Sequence, residues 1–308
     1  MGKILHITNG GSLSNYLKEL EFADPILSWE EMLCEGPTSF YIETRNFYKQ
    51  RKFFLTNTYD IEIDLKAYFK EINKLNDPEQ YDHIVLWFEY DLFCHINLLA
   101  VINFLQQRNI SKPLYLVCSG RVKGEQNLKG LAELSKSQLL SHYKNKVLLS
   151  EEDIDLAKTL WGIYCGKDHN LFKPYIVQNS SFEYLGNCLK AHLVRFPDSV
   201  TGLGTIETNV LGLLNEFEIK SKHHLLGYAL NYQGYYGYGD LQYERVIGNL
   251  KPFIEETKDG LRVNEIGKKV MEGKENANAY ITNTVEYGGV KRSDFVFDKE
   301  ENKLIPNN

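Results

Sequence analysis

The chain has 308 residues, 43% hydrophobic and 25% charged, which excludes disorder as the main state and makes two domains the default. Its 35 basic residues against 41 acidic give a formal charge of −6, so binding to a polyanion would need a local basic patch working against the mean field. Five scattered cysteines (Cys34, Cys94, Cys118, Cys165, Cys188) with no CxxC pair exclude a cysteine-rich structural zinc site and suit reduced, buried thiols. No apolar run is long enough to span a membrane and the N-terminus lacks a signal-peptide pattern, so the expectation is a cytoplasmic protein.

In chain order, the β-branched run 3–8 ends in Asn-Gly-Gly and predicts a first strand, with a helix starting near Ser12. A second short strand is expected at 25–29, then helical stripes from Ser39 to about Lys74. The continuous apolar run 83–88 predicts a strand buried on both faces, followed by a helix ending near Arg108, and 113–118 predicts a fourth strand. This alternation predicts an α/β, Rossmann-like, mostly parallel sheet over residues 1–120.

Residues 121–200 read as a helical connector, with Ser150 and Asp153 in a capping-box pattern. Over 201–275 three helices, a hairpin with a Lys-Asp-Gly turn and a last helix from Ile266 outline a winged-helix-like module. A strand-like tail fills 276–308. The segment 233–240, Gln-Gly-Tyr-Tyr-Gly-Tyr-Gly-Asp, is a local glycine–tyrosine cluster.

In an open parallel sheet, ligands bind beyond the carboxyl ends of the strands where the strand order reverses. The first strand delivers His6, Thr8, Asn9, Gly10, Gly11 and Ser12 toward that edge, the third Glu89, Tyr90 and Asp91, and the fourth Ser119 and Gly120. With the order 2-1-3-4 these groups converge. The Asn9–Ser12 turn offers backbone N–H groups to an anion at a helix N-terminus, although an ordinary βα turn looks the same and no Walker or GxGxxG pattern is present. Glu89 and Asp91 suit a divalent cation, acid/base work or a cationic ligand group; otherwise Asp91 caps the next helix and Glu89 pairs with a base. His6 taken alone reads as a satisfied strand histidine, and beside Glu89 as a tuned acid/base partner. Glu35 reads first as a solvated loop residue and second as a rim carboxylate. Arg45 and Arg51 read first as surface arginines and second as anion contacts. No cofactor or metal is specified by any spacing.

The runs His6-Ile7-Thr8-Asn9-Gly10-Gly11-Ser12, Ser28-Trp29-Glu30-Glu31-Met32-Leu33-Cys34-Glu35-Gly36-Pro37 and Leu86-Trp87-Phe88-Glu89-Tyr90-Asp91-Leu92-Phe93 resemble the bacterial domain family of unknown function DUF1835. The C-terminal half resembles the region usually found downstream in those proteins, so the resemblance covers most of the chain. The family pattern has aspartate at Gly11, histidine at Tyr90, aspartate at Cys94 and glutamine at His95; these departures remove two carboxylates. The resemblance implies where the site lies and leaves the reaction open.

The expectation is therefore a small-molecule enzyme or ligand-binding protein, hydrolase- or transferase-like, taking a negatively charged or nucleotide-like ligand at the strand edge. Glu89, Asp91 and His6 would be catalytic; Thr8, Asn9, Gly10, Gly11, Ser12, Glu35, Arg45, Ser119 and Gly120 would contact the ligand. The alternative is a ligand-sensing regulator whose winged helix binds DNA or a protein. Charge disfavours DNA: the presumed third helix offers only Arg245 and Lys251 against Asp240 and Glu244. A third reading is a scaffold with a flat, charge-paired rim.

Overall fold

The computed structural model describes residues 2–307. From the N-terminus, β1 (Lys3–Asn9), α1 (Gly11–Glu19), β2 (Ile26–Trp29) and the two-residue β3 (Gly36–Pro37) lead into α2 (Arg45–Tyr59) and α3 (Leu65–Ile72). Then come β4 (Tyr81–Phe88), α4 (Leu92–Gln107), β5 (Leu114–Cys118), α5 (Lys136–Lys144), β6 (Val147–Leu148), α6 (Glu151–Cys165) and α7 (Leu185–Val194). The sheet runs β2-β1-β4-β5-β6; its first four strands are parallel and β6 closes it antiparallel to β5. The order expected for the four parallel strands is thus present, and the fifth strand comes from beyond residue 120.

The β4 segment forms a central strand because its run from Ile84 to Phe88 is apolar throughout and both faces find cover. Ile84 and Leu86 join Leu5, Ile7, Leu114 and Leu116 under α2, α4, α6 and α7. Val85 and Trp87 join Val117 and Ile26 on the opposite face under Leu13 and Leu17 of α1 and Leu139 of α5. Helix α4 is buried almost all round, which its composition, apolar from Leu98 to Ile102, requires. The Ser150–Asp153 box caps α6 as the sequence predicts, and Asp153 also accepts from Ser181.

The C-terminal part holds α8 (Thr205–Glu216), α9 (Lys222–Asn231), α10 (Asp240–Asn249), the hairpin β7 (Ile254–Thr257) and β8 (Gly260–Val263), and α11 (Glu265–Met271). The tail adds β9 (Glu286–Gly288), β10 (Val290–Lys291), β11 (Phe295–Asp298) and β12 (Lys303–Pro306). The tail returns to the start of the chain: β9 pairs parallel with β3, matching Gly36 to Tyr287 and Pro37 to Gly288. One apolar cluster runs without interruption from Leu5 to Leu304. Among the described residues no helix is long and apolar enough to cross a membrane.

Candidate functional site

The strand order reverses between β1 and β4: the chain steps from β1 outward to β2, then returns to the other side of β1. The crevice at the carboxyl ends of these two strands lies where Asn9 leaves β1 and Glu89 leaves β4. Three ligand atoms from Glu89, Asp91 and Cys94 lie within 4.8 Å of one another there. Asn9 links the two strands across the crevice: its amide donates to Cys94 Sγ at 2.9 Å and its carbonyl accepts from Asn97 at 2.7 Å.

Glu89 has no basic partner among the described residues; its carboxylate accepts from the Leu131 backbone N–H at 2.6 Å. Burial, then the charge of Asp91, push its pKa up to about 7. Asp91 caps α4, accepting from Cys94 N at 2.8 Å, and burial raises its pKa to about 6. The capping role foreseen for Asp91 therefore holds, whereas the base foreseen for Glu89 is absent. The Cys94 thiol is pushed up by burial and by both carboxylates, which keeps it protonated when no cation is bound.

Beside this cluster the N-terminus of α1 is uncapped by any side chain, because Gly10 precedes it with φ +93°. Helices α2, α3 and α4 are capped by Thr44, Asp64 and Asp91. Gly11 is half-buried and Ser12 exposed on the first turn. Thr8 is buried, and its hydroxyl meets Ser14 Oγ at 2.6 Å. Ser119 is buried with no partner for its hydroxyl among the described residues, and Gly120 (φ +151°) is packed against Tyr184, leaving no room for a Cβ.

Four expected residues lie elsewhere. His6 does not pair with Glu89: it sits three residues before the edge, roughly 10 Å down the strand, and its Nδ1 accepts from Trp87 Nε1 at 3.1 Å. Phe22, Trp87 and Tyr143 enclose the ring, and burial lowers its pKa to about 4. Glu35 is not a solvated rim residue; it is fully buried, 2.6 Å from Arg245 of α10 and hydrogen-bonded by Tyr59. Arg45 is exposed at the start of α2. Arg51, in contrast, is a core residue that donates to the carbonyls of Met32, Glu35 and Pro37 and lies 3.5 Å from Glu31.

The sequence reading missed the cover of the site. The Tyr235 and Tyr236 carbonyls accept from Leu92 N at 2.7 Å and Phe93 N at 3.2 Å, the first two amides of α4. Gly237 (φ +66°) packs directly on the Asp91 carboxylate. The glycine–tyrosine cluster was visible, but nothing local in it names α4 as its partner.

A second buried network lies at Arg195, which is fully buried with no carboxylate partner among the described residues. It donates to Cys34 O at 2.8 Å, Tyr238 Oη at 3.1 Å and His192 Nδ1 at 2.7 Å, and its guanidinium lies 3.6 Å from the Tyr287 ring centroid. Since arginine only donates, His192 accepts at Nδ1 and carries its proton on Nε2, which donates to His169 Nδ1 at 2.8 Å. His169 in turn donates from Nε2 to Tyr164 O at 3.0 Å. Both rings are neutral, and burial depresses both pKa values.

No family model and no curated protein matches the chain. Among solved structures it is similar, at 12% identity and a TM-score of 0.49, to the DNA-binding, cleavage and re-ligation domain of Plasmodium falciparum topoisomerase II. That match covers 81% of this chain and 42% of the other, so the chain spans less than half of that structure. Similarity at this level leaves function to be argued from the site.

Proposed function

We propose that the chain binds a small negatively charged or nucleotide-like molecule at the β1–β4 crevice and acts on it in a hydrolase- or transferase-like manner. The observation that carries this reading is Glu89, a carboxyl at the topological switch point whose pKa is pushed up to about 7 and which no base among the described residues neutralises. Such a group is half protonated near neutral pH and serves as either acid or base. The anionic end of the ligand would sit at the uncapped Gly10–Ser12 turn, on the N–H groups of α1. Ionised Glu89 and Asp91 would repel that anion. A proton on Glu89, or a divalent cation held by Glu89, Asp91 and Cys94, removes the repulsion; the mixed oxygen and sulfur donors suit zinc better than magnesium. His6 has no part in this chemistry.

The test is thermal unfolding of the full chain against nucleotides, sugar phosphates and divalent metals. A ligand at about 100 times its Kd stabilises the folded state by ~2.7 kcal/mol. The expected result is a rise in Tm that Glu89→Gln or Asp91→Asn abolishes. Unchanged affinity in the double variant removes the proposal.

A second reading takes residues 201–275 as a winged-helix-like module that contacts a partner. A groove of about 640 Å³ between α9, α10 and the hairpin favours it: Leu226, Ile247, Ile254 and Leu261 form its floor, and Lys222 and Lys251 flank it with Glu244 and Glu256. A DNA partner is the weaker form, because α10 turns Gln242, Tyr243 and Val246 inward and commits Arg245 to Glu35. Salt-dependent retention of the chain on duplex DNA would favour the DNA form, and no retention at low salt would remove it.

A further inference from the structure

We infer that the α2–α3 face is a docking surface for single-stranded nucleic acid, holding its phosphates through five lysine and arginine side chains and its bases through Phe69. Arg45, Lys49 and Lys52 recur at i, i+4 and i+7 along α2, and Lys66 and Lys70 at i and i+4 along α3, so each set shares one side of its helix. All five are exposed. The α2 set lines a hollow of about 430 Å³ with Tyr48, Leu65 and Phe69. The α3 set lines one of about 420 Å³ that Leu65 and Phe69 also line, so the two hollows adjoin and cations flank Phe69 from both helices. Among the described residues no acidic side chain lines either hollow.

The acids nearest in sequence are engaged elsewhere. Arg108 holds Glu43 through both oxygens at 2.9 Å, Asp64 caps α3, and Glu71 takes Lys74 and the Ser28 amide. Asp60 and Glu62, in the connection between the helices, line neither hollow. None of the five cations belongs to an ion pair among the described residues. The face is the local basic patch that a chain of net charge −6 needs in order to hold a polyanion. Phe69 selects the form of that polyanion. Its ring is 39% exposed and is held edge-on by Tyr48 at 5.3 Å and Tyr68 at 5.7 Å, an ordered apolar plate between the two sets of charge. A base of an unpaired strand can stack on such a ring, whereas a duplex keeps its base faces stacked within itself. A bilayer takes up protruding apolar side chains, and here only Leu65 and Phe69 are apolar and exposed, at 37% and 39%. The face shares no residue with the Glu89–Asp91–Cys94 cluster, so the inference is independent of the ligand reading there.

The test is the fluorescence anisotropy of labelled oligothymidylate, longer than one site of ~16 nucleotides, titrated with the full chain over a series of salt concentrations. The expected result is binding whose log K falls with log salt at a slope of about −2 to −3.5, as the neutralisation of about three to five phosphates requires. Lys49→Gln with Lys66→Gln is expected to weaken binding at low salt by about tenfold or more and to make the slope shallower by about 1.4. Lys268→Gln with Lys269→Gln removes the same charge from exposed positions on α11 and is expected to leave binding unchanged. Phe69→Leu, which removes the stacking plate and no charge, is expected to cost about tenfold with the slope unchanged. No binding at low salt, or an equal loss in the two lysine pairs, overturns the inference, the second because net charge alone is then at work. A duplex of the same length bound as tightly as the single strand, or phosphatidylserine vesicles bound more tightly than either, also overturns it, since neither partner offers an unstacked base.

Discussion

Glu89 and Asp91 hold their protons more tightly in the folded chain than in the unfolded one, with pKa values pushed up to about 7 and about 6. Folding therefore gains from them at low pH, and that contribution is lost as pH rises through 6 and 7. Glu89→Gln removes the cost of burying the ionised group, so the variant is expected to be more stable than wild type at pH 8 by about 1–3 kcal/mol and equally stable near pH 4. Urea unfolding at the two values checks this; an equal effect at both would show that Glu89 is not the titrating group. The buried His6 and His95, with pKa values lowered to about 4, work in the opposite sense and cost stability as pH falls below their ordinary 6.5. Comparing variant with wild type at each pH cancels their contribution. The sequence made Glu89 and Asp91 legible because two carboxylates directly after an apolar strand are costly anywhere but at a functional or capping position. It misled on His6, because strand alternation places a side chain on a face and says nothing of which aromatic rings cover that face.

The β2–β3 loop shows how far local pattern reaches. Strands β1, β2, β4 and β5 are legible as apolar runs closed by turns, and the structure begins and ends each within about two residues of the expected limits. The Cys34-Glu35-Gly36-Pro37 run reads just as clearly as a candidate rim, yet its residues face other elements: Cys34 O meets Arg195 of the α7 end, Glu35 meets Arg245 of α10, and Gly36 and Pro37 pair with β9. Those partners are distant in sequence, and no periodicity announces them. The Glu35–Arg245 pair gives a sharp expectation. Removing only the arginine leaves a fully buried carboxylate without its cation, so Arg245→Met should cost about 3–5 kcal/mol, whereas Arg245→Met combined with Glu35→Gln should cost much less. Unfolding free energies for the two single variants and the double variant decide it; additive costs would mean that the pair is not coupled.

Composition and length make two domains the expectation, and the apolar cluster passes from the sheet through α7 and α8 to the tail. Arg195 gathers Cys34, Tyr238 and Tyr287, three segments from opposite ends of the chain, around one desolvated charge. The chain is accordingly expected to unfold in a single calorimetric transition with equal calorimetric and van't Hoff enthalpies. Two resolved transitions would show that the α/β and C-terminal parts unfold independently. The pairing of β3 with β9 also bears on how the protein is made. A ribosome releases the Gly36–Pro37 edge long before Tyr287–Gly288, so the seam stays open, with the Arg195 and Glu35 environments incomplete, while the intervening segments are translated. The newborn edge must wait for β9, and a chain that stops short of it is left with an unpaired edge open to chaperones and proteases.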